Sequence, residues 1–98
     1  MKLRVTPPAV ADIDEILSYI RRDSPVTADK VGARINALMN GLAEHPDIGR
    51  QTNRKPIRYI NTHPYPYLIF YRRMAVEVQV IAVRHGARNP KSMPARPR

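Results

Sequence analysis

Three side chains late in the chain have the types and spacing to do chemistry: Arg84, His85 and Arg88, in the run VRHGAR. Guanidinium groups donate paired hydrogen bonds to a phosphate or carboxylate, and an imidazole changes charge near neutral pH. The set therefore suits an anion, and three uses stay open. It can hold an acidic target, it can supply an acid or base for phosphodiester chemistry, or His85 can simply hydrogen-bond backbone at a strand end. Arg72 and Arg73 add two cations upstream. The chain has no Cys, and its three His residues are scattered. Disulfides and thiolate metal sites are thus excluded, and neither a metal nor a cofactor is expected.

The elements that must position these groups are legible from periodicity. Leu68, Ile69, Phe70 and Tyr71 form one β-prone run; Val76, Val78, Val80, Ile81 and Val83 form the next. Arg72-Arg73-Met74-Ala75 between them predicts a hairpin, the centre of a sheet. Upstream, Lys2 to Thr6 predicts a short strand at a sheet edge or beside that hairpin. Thr6 followed by Pro7-Pro8 predicts a helix start with a hydroxyl N-cap. Val10, Ile13, Ile16, Leu17 and Ile20 give this first helix its apolar stripe. Asp12, Asp14 and Glu15 lie in its first half, and Arg21 and Arg22 in its last turn, as the helix dipole favours.

Asp23-Ser24-Pro25 breaks the helix and opens a second, with Ser24 as N-cap, running to about His45. Its stripe is Val31, Ile35, Leu38, Met39 and Leu42, and Gly32 offers a place where the helices approach closely. Asp47-Ile48-Gly49-Arg50 predicts a turn with Gly49 at positive φ. A short strand follows at Ile57 to Ile60. Tyr65-Pro66 delays regular pairing of the next strand to Tyr67. The fold class is therefore α+β, two-layer, in the order β-α-α-β-β-β: a helical hairpin packed on a small, mostly antiparallel sheet.

Ninety-eight residues make one domain, 1–89, followed by a Pro- and Arg-rich tail, 90–98. The formal net charge of +9 is unevenly divided: residues 1–49 carry net −1 and residues 50–98 carry net +10. An anionic partner meeting the second half is expected, either nucleic acid or an acidic protein segment. No apolar run approaches the roughly 20 residues that span a bilayer, and the N-terminus lacks the apolar core of a signal peptide. A cytoplasmic location without membrane contact is the expectation.

The order of pieces resembles the RelE/ParE superfamily of type II toxins. The resemblance runs over roughly residues 1–90 and rests on PPAVADIDEILSYI, a break at SP, LAEHPDIGR, a PYLIFYR strand, and VRHGARNP. It implies a toxin neutralised by a cognate acidic antitoxin in a hetero-oligomer. It implies antitoxin contacts at Ile13, Leu17, Ile20, Leu38, Leu42 and Arg58. The superfamily divides by mechanism, into ribosome-dependent mRNA endonucleases and non-enzymatic inhibitors of DNA gyrase. RelE-like nucleases place a basic residue inside the third strand, and here that position is Leu68. HGAR resembles the ParE side, where a His and an Arg three residues apart close the last strand. The resemblance thus implies a gyrase inhibitor contacting its target through Arg84, His85, Arg88, Arg72 and Arg73, with no catalytic residue. The alternatives are an mRNA nuclease using His85, Arg84 and Arg88, or a toxin fold that persists as an inactive antitoxin partner.

Overall fold

A computed structural model describes residues 1–86; Ala87, Arg88 and the tail lie outside the described residues. Two helices cover one face of a five-stranded sheet. The elements are β1 (Lys2–Val5), α1 (Pro7–Asp23), α2 (Pro25–Glu44), β2 (Arg50–Gln51), β3 (Ile57–Asn61), β4 (Tyr67–Arg73) and β5 (Glu77–His85). The sheet order is β1-β5-β4-β3-β2. The β1–β5 pair is parallel and the others are antiparallel.

The helix break falls where the sequence places it. Ser24 caps α2 by accepting the Thr27 N–H at 3.1 Å, and Pro25 occupies the first turn, where a missing N–H costs nothing. Thr6 corrects the other cap. It sits at the N-cap of α1 without a side-chain cap bond; its hydroxyl instead donates to the Val80 carbonyl at 2.8 Å. That bond ties the end of β1 to β5. Gly32 does permit close helix packing: a Cβ there would stand 3.3 Å from Leu17 Cδ1.

The main core joins Ala9 of α1 and Val31, Ile35, Met39 and Leu42 of α2 to Ile69, Tyr71, Val78, Val80 and Val83 of the sheet. Such side chains contribute about 1.5–3 kcal/mol each when fully buried. Val10, placed in the stripe by spacing, is 44% exposed; it stands at the edge of the stripe, and Ala9 and Asp12 turn inward instead. A smaller cluster, Tyr59, Leu68, Phe70 and Ala82, occupies the opposite face of the sheet.

Three further expectations shift. The β4–β5 turn is Met74 to Val76 rather than Arg72 to Ala75, so Arg72 and Arg73 belong to β4 and Val76 is exposed. The two-residue strand β2 has no counterpart in the sequence reading. Gly49 does not adopt positive φ. It is required for space: a Cβ there would lie 2.5 Å from the Tyr71 hydroxyl and 2.8 Å from the Tyr59 carbonyl. The Gly49 N–H donates to that hydroxyl at 2.8 Å, and Arg58 donates to the Gly49 carbonyl, also at 2.8 Å.

Candidate functional site

The His85 end of the hairpin is built where β5 outruns its neighbour. β1 stops at Val5, opposite Val80, so residues 81–85 of β5 have no strand on that side. Asp12, one of only two buried residues on α1, fills the gap. Its carboxylate accepts the Val83 N–H at 3.0 Å and a hydrogen bond from the Arg84 guanidinium. The pair is largely enclosed, with side-chain exposures of 15% for Arg84 and 11% for Asp12. Spacing puts Asp12 to the service of the helix dipole; the structure corrects this, and no acid lies in the first turn of α1.

Arg84 is correspondingly committed. Its cross-strand partner is Leu68, and its guanidinium reaches α1 rather than standing free for an external anion. His85 lies beside Tyr67, edge to face, with ring centroids 5.7 Å apart. Burial, followed by the neighbouring Tyr19 phenol, raises the Tyr67 pKa above its ordinary 10.0. A cleft of about 540 Å³ opens beside His85, and Tyr59, Tyr65, Tyr67, Leu68 and Arg50 contribute to its lining. Leu68 faces this cleft and is 6% exposed.

Thr62 braces the cleft wall, a role the sequence does not signal. It is fully buried. Its hydroxyl lies 3.1 and 3.0 Å from the Tyr65 and Tyr67 carbonyls and accepts the Tyr67 N–H at 3.2 Å. The connection into β4 is thereby closed on itself without a regular ladder.

The five residues assigned to the target do not form one patch. Arg72 and Arg73 sit at the far end of β4 from Tyr67 and His85, about 20 Å away at strand rise. Arg72 donates to Gln79 at 3.0 Å, and Arg73 pairs with Asp47 at 2.8 Å. Arg88 lies outside the described residues. Of the residues expected to meet an antitoxin, Leu42 is 1% exposed and closed in the core, so it offers no surface in this fold. Ile13, Leu17, Ile20 and Leu38 are partly buried against the same core. Arg58 is engaged with the Gly49 carbonyl. Tyr71 is fully buried and Tyr59 nearly so, which makes both packing residues. Among the described residues no group of His, Asp and Glu is placed to hold a metal ion, and no helix is long and apolar enough to cross a membrane.

The family model described as the ParE toxin of the type II toxin–antitoxin system parDE matches residues 3–90. The chain belongs to this toxin family. The toxin is 37% identical over 85 residues to the putative toxin Y4kP of Sinorhizobium fredii, covering 87% of this chain and 88% of that one. It is 34% identical over 80 residues to toxin RelE2 of Caulobacter vibrioides, covering 82% and 89%. It is 27% identical over 95 residues to toxin ParE2 of Mycobacterium tuberculosis, covering 96% and 90%. The fold matches a solved chain of the chromosomal ParDE system of P. aeruginosa with a TM-score of 0.77 at 24% identity, covering 87% of this toxin and 95% of that chain. The two-helix, five-strand α+β arrangement is therefore that of a ParE/RelE-superfamily toxin.

Proposed function

We propose that this toxin is a non-enzymatic inhibitor of DNA gyrase, acting in the cytoplasm and neutralised by a cognate acidic antitoxin. The observation that carries the reading is Leu68 in the cleft beside His85. Cleavage of RNA through its 2′-hydroxyl needs a base, an acid and cations for the charge that builds on phosphate. A leucine supplies none of these, and the nearest arginine on β5 is held by Asp12. His85 and Arg88 then serve as contacts for an anionic surface of the target. An acidic antitoxin segment suits the second half of the chain, whose net charge is +10.

The test is supercoiling of relaxed plasmid by purified gyrase, with integrity of a translated reporter mRNA followed in parallel. Blocked supercoiling with intact mRNA is expected. Cleaved mRNA with normal supercoiling would overturn the reading and favour the second one, a ribosome-dependent nuclease working through His85; the 34% identity to a toxin named RelE2 is what keeps that reading in view. The pair to substitute is His85→Ala with Arg88→Ala. Arg84 is left in place, because it is held by Asp12 and its removal would test the fold rather than a contact. The double variant is expected to lose toxicity while keeping its fold by circular dichroism.

A further inference from the structure

We propose that Asp12 is a positioning residue for the target-contacting end of the hairpin, although it touches no target itself. The inference rests on the reading that His85 meets the target. β5 leaves the shelter of β1 after Val80. From there its outer edge presents unpaired backbone groups, and the strand is held by β4 on one side only. Asp12 supplies the pairing from a helix: one carboxylate oxygen takes both the Val83 N–H and the Arg84 guanidinium. The same guanidinium lies 3.4 Å from the Val83 carbonyl. A carboxylate and an arginine thus replace the missing strand over the two residues that precede His85. The Arg84 Nε is buried with no hydrogen-bond partner, so the group depends on Asp12 for its compensation. On the other side of β5, Tyr67 packs edge-on against His85. The strand that carries the imidazole is thus braced from α1 on one side and by the Tyr67 ring on the other.

The substitution that tests this is Asp12→Asn, which keeps an oxygen for the Val83 N–H and removes the charge that Arg84 needs. Tyr71→Phe is the control, a buried polar loss remote from His85, and the two are compared at matched denaturation midpoints by adjusting temperature. Amide hydrogen exchange at Val83 to His85 is expected to rise about tenfold in Asp12→Asn, as local opening does when the charge-assisted bond that anchors Arg84 to α1 is weakened. Exchange at Glu77 to Val80 should be unchanged. Gyrase inhibition should fall about tenfold in Asp12→Asn and hold in Tyr71→Phe. Adding Arg84→Met to Asp12→Asn should cost no further inhibition, because the two groups act as one unit.

Unchanged exchange at Val83 to His85 would overturn the proposal. So would loosened exchange with full inhibition, or an equal loss in Tyr71→Phe. If the unmodified toxin does not inhibit gyrase, the gyrase reading fails by itself. Growth arrest by the same variants then decides the role of Asp12, with the same pattern expected.

Discussion

The two ends of the β4–β5 hairpin use the same residue types and obtain different things from them. At the turn end, Arg73 and Asp47 pair in the open, with side-chain exposures of 50% and 62%. Arg72 joins a half-buried chain of hydrogen bonds through Gln79 to Glu77. At the His85 end, Arg84 and Asp12 pair behind α1 and carry the Val83 backbone with them. Water and salt screen the first pair, so it orders little. The second is shielded, and each partner depends on the other for the cost of its burial. An arginine count read from the chain treats Arg73 and Arg84 alike. Enclosure makes the first surface charge and the second structure.

The comparison can be broken most directly at Asp12. Asp12→Ala should lower stability by about 3–5 kcal/mol, the usual cost of stranding one partner of a buried pair; a loss under about 1 kcal/mol in denaturant unfolding would make Arg84 a surface charge like Arg73. Next comes Gly49→Ala, where the new methyl must push against the Tyr71 hydroxyl and the Tyr59 carbonyl. A loss of about 1–3 kcal/mol is expected, as for other overpacked sites, readable by thermal melting. Tyr71→Phe removes the acceptor of the Gly49 N–H and should cost about 1–2 kcal/mol.

Tyr71 also predicts an alkaline signature. Burial raises its pKa above 10.0, outweighing the lowering by the Gly49 N–H and the Arg58 charge. A raised phenol pKa stabilises the fold fully below the unfolded value and loses that contribution as pH rises past 10 toward the folded value. Melting temperature against pH should therefore fall less steeply above pH 10 in Tyr71→Phe. The smallest effect belongs to Arg73→Ala: under about 1 kcal/mol, and vanishing in high salt. A salt-insensitive loss there would erase the contrast between the two ends.

Much of the frame was readable from the chain because periodicity and caps agree. Ser24-Pro25 marks a helix junction that the structure keeps, and the valine-rich run is β5. What escaped was information that lies in contacts between distant residues. Asp12 follows Ala9 by three residues and precedes Ile16 by four, which sets an acid within the buried stripe of α1; that is the one available signal, and it is easily taken for a dipole charge. Gly49 looks the same whether it supplies a backbone angle or empty space, and only the Tyr71 hydroxyl decides. β2 is two residues long and has no period to detect. Arg84 reads as a free cation in the sequence because nothing local reveals that α1 holds it.

The position of β5 also bears on how the toxin is made. The strand lies between β1 and β4, and α1 packs against it, yet it is the last strand of the described chain. A ribosome therefore completes β1, both helices and three strands before the segment they close upon has been synthesised. The N-terminal strand must wait some seventy residues for its partner, a long-range pairing of the kind that slows folding. A product ending before Glu77 is expected to show little ordered structure by circular dichroism and no growth arrest on expression. Interrupted translation of this toxin would then yield fragments without its potency, and toxicity would begin only once β5 has been made.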